Sequence, residues 1–256
     1  MERYLSLARI FGLMLMVFST TYALPILASI VYRDGTLSMF LSDMGLTFGC
    51  GLLLWLLNKR HESELKAREG FMLVVFAWTG MAGFATLPLM SYLPDLSFTD
   101  AYFESMSGLS TTGSTVLSSL DSFAPAINLW RHELNWLGGM GIIVLAVAIL
   151  PVLGIGGRQL FVAETPGPMK DSKLTPRITE TAKNLWMIYS LITLACIFSL
   201  KLAGMDWLDS ICHAFSTMGL GGFSTHDENI GYFDSPSIEN VLMVFMLLAG
   251  MNFSTH

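Results

Sequence analysis

Charge is what this sequence has least of. Only 13% of its 256 residues are Asp, Glu, Lys or Arg, against about 25% in an ordinary soluble domain. That shortage excludes a normal water-facing surface, and a mean hydropathy of +0.57 points the same way. Cysteine is scarce too. Cys50, Cys196 and Cys212 lie in or beside apolar stretches and no CxxC occurs, so they read as small buried hydrophobes rather than a disulfide or redox framework. There is no HExxH, and His213, His226 and His256 are too far apart for a local metal motif. The Gly219–Gly222 run follows a short helical stretch rather than a strand and lacks a downstream Lys-Ser/Thr, which excludes a phosphate loop. The 17 methionines are scattered along apolar runs, as packing residues are.

What the chain has instead is long apolar runs. Roughly 20 apolar residues at 1.5 Å each cross a hydrocarbon core of about 30 Å. The runs Ile10–Tyr32, Leu37–Leu57, Phe71–Tyr92, Ile127–Leu150, Leu185–Leu202 and Ile238–His256 are read as six spans, the fourth closed by Pro151. The first is longer than a signal-peptide core, contains Pro25 and has no A-x-A site before Arg33, so it is read as a retained helix.

The few basic residues cluster. Arg3 and Arg9 precede the first span. Lys59, Arg60, Lys66 and Arg68 fill the linker 58–69, and Arg158, Lys170, Lys173, Arg177 and Lys183 the linker 151–183. Between Arg68 and Arg158 only Arg131 intervenes, and no Lys or Arg follows Lys201. The positive-inside rule then puts the N-terminus and both linkers in the cytoplasm and the connections 93–126 and 203–237 outside.

Those outer connections are not simple loops. Segments 98–116 (FTDAYFESMSGLSTTGSTV) and 207–224 (WLDSICHAFSTMGLGGFS) each read as a short amphipathic helix running into a Gly/Ser/Thr stretch. Aligned on Asp100 and Asp209, they match without a gap. Ser107 meets Ser216 and Gly113 meets Gly222, at a constant offset of 109 residues. The order span, short helix, Gly-rich stretch, span is an internal repeat of a whole structural unit. A helix too short to span stops inside the membrane, and extended backbone at that depth is tolerated only where protein or a water-filled cavity satisfies it. Residues 110–116 and 219–224 are therefore expected to line an aqueous pore. Glycine there allows carbonyls to turn inward and replace a cation's hydration shell, and Thr111, Thr112 and Thr115 add hydroxyls.

Asp95, Asp100, Glu104, Asp121, Asp206, Asp209, Asp227, Glu228 and Asp234 crowd the outer side, a field that concentrates cations. Arg131 is expected to pair with an outer carboxylate such as Asp121. Gly138, Gly139 and Gly141 are read as packing residues.

The runs STTGSTV at 110–116, FSTMGLGGFSTHD at 215–227 and NWLGGMGIIVLAVAILP at 135–151 resemble the Trk-type (TrkH/TrkG) potassium uptake proteins of the Trk/Ktr/HKT superfamily, in their N-terminal half. The resemblance implies an all-α integral membrane fold of potassium-channel-like M1–P–M2 repeats with re-entrant pore loops, two of an expected four. It divides the chain into a two-helix prefix (1–60), a first unit (61–160) and a second (161–256). It makes Gly113 and Gly222 the filter glycines, with the carbonyls of Thr111, Thr112, Leu220 and Gly221 on the ion. Glycine at both positions implies potassium rather than sodium. It further implies a bacterial inner membrane, a homodimer, a cytosolic nucleotide-binding regulatory subunit (TrkA in the Trk systems) that the basic linkers could touch, no cofactor beyond the transported K+, and no nucleic-acid partner.

Two units make half a filter ring, so these residues by themselves are expected not to complete the family's pore. Two alternatives stand beside a conducting subunit: a non-conducting fragment of such a transporter, and an intramembrane enzyme using polar residues around Ser107–Thr115.

Overall fold

The computed structural model describes residues 2–61, 67–141 and 175–250. Among them every regular element is helical. In chain order they are α1 (Glu2–Ser19), α2 (Ala23–Tyr32), α3 (Leu37–Asn58), α4 (Ala67–Tyr92), α5 (Phe98–Leu109), α6 (Pro125–Gly139), α7 (Thr175–Leu202), α8 (Trp207–Met218) and α9 (Pro236–Ala249), with short 3₁₀ turns between some of them. Among the described residues four stretches are long and apolar enough to cross a membrane: Tyr4–Tyr32, Leu37–Asn58, Glu69–Tyr92 and Lys183–Leu202.

Proline explains two local features. Pro25 has no N–H to close a helical bond, and the turn ahead of it, Thr20–Tyr22, tightens to 3₁₀ geometry between α1 and α2. Pro88 lies inside α4 and leaves the carbonyl four residues back, on Phe84, without its helical donor. The Tyr22 hydroxyl takes that place at 3.0 Å. The Tyr22 ring also packs at a tilt against Trp130 of α6, centroids 4.5 Å apart, and both are fully buried. The first two spans thus pack onto the following unit through an aromatic cluster that includes Phe18 and Phe40.

Glycine sets the close crossing of α1 and α3. A Cβ on Gly12 would lie 2.6 Å from the Gly51 carbonyl, and one on Gly51 would lie 2.7 Å from that of Gly12. The bare backbones let α1 and α3 touch, as small residues do between membrane helices. Asp34, in the turn after α2, supplies a remote cap. Its Oδ2 accepts from Ala126 N at 3.0 Å, an orphan donor in the first turn of α6 whose own N-cap position, Ala124, makes no side-chain cap.

Two expected spans differ. The fourth was drawn as one helix from Ile127 to Leu150, but α6 ends at Gly139 and Gly141 turns left-handed at φ 67°. Residues 142–150 lie outside the described residues. The glycines that end the helix are there for close packing: a Cβ on Gly138 would strike the Leu109 carbonyl, and one on Gly139 the Gly219 Cα and the Tyr189 hydroxyl. The sixth span is helical over Pro236–Ala249, and its end, 251–256, lies outside the described residues. So do 62–66 of the first basic linker and 151–174 of the second.

Candidate functional site: paired re-entrant loops and their support

Two half-length helices carry the loops. Each of α5 and α8 has 12 residues, about 18 Å at 1.5 Å per residue, too short to cross. Their starts are equivalent: Ser97 accepts from Asp100 N and Asp206 from Asp209 N, an N-cap at each. Their ends are equivalent too. Ser110 N and Gly219 N bond to Met106 O and Phe215 O, and Thr112 N and Gly221 N bond to Ser107 O and Ser216 O, both at 2.9 Å. The 109-residue offset therefore holds bond by bond.

The same offset holds in the backbone angles. Thr111 and Leu220 sit at φ 56° and 55°, and Gly113 and Gly222 at φ 71° and 87°. A β-branched Thr or a Leu in the left-handed region is strained by roughly 1–2 kcal/mol, and such strain collects at functional sites. Positive φ at every second residue of 110–113 and 219–222 turns successive peptide planes in a way no helix or strand does. The loops also meet: a Cβ on Gly113 would collide with the Gly221 carbonyl. Of the expected ion-contacting residues, Thr112 and Gly222 are exposed, Leu220 is half exposed, Thr111 and Gly113 are partly covered and Gly221 is buried. Gly221 lies against the Asn135 side chain.

Behind the loops stands a buried polar shell, and here the two units diverge. Behind the first loop, Glu104 accepts from Thr115 Oγ1 at 2.9 Å and from Val116 N at 3.2 Å. Behind the second, the equivalent pair is His213 Nε2 and Ser224 Oγ at 3.1 Å. Ser107 donates to the Ser114 carbonyl at 2.6 Å, whereas Ser216 is held by His132 Nδ1 at 2.7 Å and Asn135 Nδ2 at 3.2 Å.

Arg131 corrects an expectation. Its partner is Glu104, not Asp121. Nε and Nη2 reach Glu104 Oε1 at 2.9 and 2.8 Å, and both side chains are 1% exposed. Arg131 faces the interior because α6 is buried from Ala126 to Asn135, with no exposed face. Nη2 also reaches Thr115 Oγ1 at 3.3 Å, and Nη1 donates to the Ser224 carbonyl at 3.2 Å. The guanidinium lies 4.6 Å over the Phe223 ring.

The acidic rim is correspondingly smaller than expected. Glu104 and Asp209 are buried and paired, while Asp95, Asp100, Asp121, Asp206, Asp227, Glu228 and Asp234 are exposed. Asp121 pairs with His226 instead, which also contacts Asp209 Oδ2 at 3.2 Å. Asp227 Oδ1 accepts from Leu120 N, and Asp121 Oδ2 from Asp227 N. These contacts join the two outer connections. Burial opposes a charged His226, but the Asp121 and Asp209 hydrogen bonds outweigh it and raise its pKa. The His226 hydrogen bond, with that of Asp227 N, lowers the pKa of Asp121. His213 and His226, far apart in sequence, thus gather around Asp209. Among the described residues no group of three or more His, Cys, Asp or Glu is arranged to hold a metal ion.

Comparison with known proteins agrees with this architecture. The family model described as "TrkH: Cation transport protein" matches residues 37–256. The chain is 51% identical over 252 residues to the Trk system potassium uptake protein TrkH of Escherichia coli K12, covering 98% of this chain and 52% of that protein. To Trk system potassium uptake protein TrkG of the same organism it is 42% identical over 244 residues, covering 95% of this chain and 50% of the relative. The crystal structure of the potassium transporter TrkH from Vibrio parahaemolyticus superposes with a TM-score of 0.83 at 48% identity, covering 99% of this chain and 51% of that one. The chain thus spans about half the length of the relatives it matches. With its family match over most of the sequence, its membrane-crossing helices and its paired re-entrant loops, this membrane protein belongs to the TrkH family of cation transport proteins.

Proposed function

We propose that this chain supplies a two-helix prefix (1–60) and two helix–loop–helix units (61–160 and 161–256) to a potassium-conducting pore in a bacterial inner membrane. The carbonyls of Thr111, Thr112, Leu220 and Gly221 take the place of water around K+, with Gly113 and Gly222 providing the turns that aim them. The observation that carries this reading is the matched pair of left-handed residues, 111/113 and 220/222, at the ends of two half-length helices. The names of the relatives support potassium as the ion. The exposed outer carboxylates raise the local cation concentration, and the membrane potential drives inward flow at about 2.3 kcal/mol per charge per 100 mV.

The basic clusters favour a cytoplasmic N-terminus. By relation to the Trk systems, the cytosolic side docks a nucleotide-binding regulatory subunit of the TrkA kind, and the complete transporter pairs as a homodimer. An enzyme reading has less support. Ser107 is committed to the Ser114 carbonyl, and among the described residues no carboxylate bonds the far ring nitrogen of His132 in the Ser216–His132 pair.

The test is tracer uptake in a host lacking its own potassium uptake, with the protein expressed from its complete reading frame. Gly113→Ser and Gly222→Ser should each lower the K+/Na+ preference by about tenfold or more, since a β-carbon at positive φ moves the carbonyls, while the amount in the membrane is kept. A fall in uptake of both ions by one common factor would refute the filter assignment.

A further inference from the structure

Arg131 bridges the two loops without touching the expected ion path. One face of its guanidinium holds Glu104 and Thr115, which support the first loop. Nη1 holds the Ser224 carbonyl, two residues past Gly222 on the second. Ser224 is gripped twice, since its hydroxyl meets His213 Nε2 at 3.1 Å. The bridge is built to be rigid. Arg131 and Glu104 are 1% exposed, the guanidinium is clamped over Phe223, and Nη1 has a further acceptor in Asn128 Oδ1 at 3.4 Å. The bridge is also singular in the repeat. The helices that follow the loops begin at Pro125 and Pro236, an offset of 111 residues, so Arg131 corresponds to Leu242, which is buried and uncharged.

A planar fork with fixed donor directions sets distances as well as charge. Resting on the filter reading above, we infer that Arg131 is a positioning residue that fixes the separation of the first and second loops, and through it the preference for K+ over smaller cations. The chemistry favours this over a role in rate alone. The groups held are a side chain hydrogen-bonded to the first loop and a backbone carbonyl of the second. A shift of either moves carbonyl oxygens that substitute for hydration, and ion preference depends on their number and spacing.

The experiment compares Arg131→Lys, Glu104→Asp and Gly113→Ser with the parent. All are expressed from the complete reading frame in a host without potassium uptake of its own, with membrane amounts measured by immunoblot. The readout is the ratio of Vmax/KM for Rb+ or K+ to that for Na+. Lys keeps the charge but cannot reach Glu104, Thr115 and Ser224 together. Asp keeps the carboxylate but withdraws it by one methylene. Each is expected to lower the preference about tenfold, the factor that one lost charge-assisted hydrogen bond corresponds to, with the larger change in KM. If Arg131→Lys does not reach the membrane, Glu104→Asp decides. Unchanged preference in a variant present in the membrane, with or without loss of rate, overturns the inference. If Gly113→Ser shifts the preference and the Arg131 and Glu104 variants do not, the filter reading stands and the inference alone fails. If none of the three shifts it, or the parent transports nothing, the filter reading falls and takes the inference with it.

Discussion

The buried Arg131–Glu104 pair makes a sharp thermodynamic prediction. Both side chains are 1% exposed, so solvent does not screen their interaction as it does at a surface. Glu104→Gln strands a guanidinium without a counter-charge, left with neutral acceptors alone: the new amide oxygen, Thr115, Asn128 and the Ser224 carbonyl. Arg131→Met strands a carboxylate with only Thr115 Oγ1 and Val116 N to bond. Breaking a buried pair from one side costs about 3–5 kcal/mol, which for a chain of this size corresponds to a fall of about 6–20 °C in the midpoint of heat-induced loss of monodisperse protein. Removing both charges leaves neither stranded. The double variant should therefore be more stable than either single one, or no worse than the milder of them, with a coupling of about 2–3 kcal/mol. The assay is size-exclusion recovery in detergent after heating, over the full cycle of parent, two singles and double. If the two single losses simply add, the pair is not energetically linked and the geometry has been misread.

Further outcomes follow from other parts of the molecule. The clamp between His226 and Asp121 is pH-dependent with a definite sign. His226 has a raised pKa, so its contribution is complete below about 6.5, the ordinary imidazole value, and is lost as pH rises through the raised one. Asp121 has a lowered pKa, so its contribution is present above about 3.9 and is lost as pH falls through the lowered one. The thermal midpoint should thus be higher at pH 5.5 than at pH 8.5, and His226→Gln should flatten that slope; an unaltered slope removes the clamp from the account. Asp121 is half exposed, so added salt should weaken its share. Gly138→Ala places a Cβ against the Leu109 carbonyl and should cost about 1–3 kcal/mol by overpacking, measured by the same heating assay, whereas Gly45→Ala, with nothing near its Cβ, should not. Orientation is checked by single cysteines. Asp234→Cys should react with a membrane-impermeant maleimide on intact cells and Lys59→Cys only after permeabilisation; the reverse pattern would invert the topology. Residues 1–256 expressed by themselves should give no potassium uptake, because two loops leave half a ring uncovered, and robust uptake in a deficient host would contradict this.

Much of the architecture was legible in the amino-acid order because its signals are local. The short helices begin at Ser97 and Asp206 with side-chain caps and end where a Gly/Ser/Thr run cannot continue a helix. Equal spacing carried the match from Asp100 and Asp209 through to Gly113 and Gly222. The support behind the loops was not legible, because it depends on which way α6 faces. Asp121 and Glu104 are both plausible partners for Arg131 by charge, and only the burial of α6 from Ala126 to Asn135 selects Glu104. Glu104 itself hid among the outer acids, although an acid in a mostly apolar short helix, matched by His213 at the repeat offset, was a usable sign of buried pairing. The end of α6 at Gly139 was masked by the apolar run that continues to Leu150, since hydropathy registers composition and not the turn that Gly141 makes.

The divergence of Glu104 and His213 behind otherwise matching loops has an evolutionary consequence. In a pore assembled from identical subunits, one substitution behind the filter alters every strand of the ring together, and a large lesion is the usual result. With the loops encoded separately in one polypeptide, a substitution perturbs a single strand while its neighbours hold the ring. Duplicated positions are then free to explore a carboxylate in one copy and an imidazole in the other. A saturation library over 104 and 213 should accordingly recover different tolerated residues at two sites that share the same backbone.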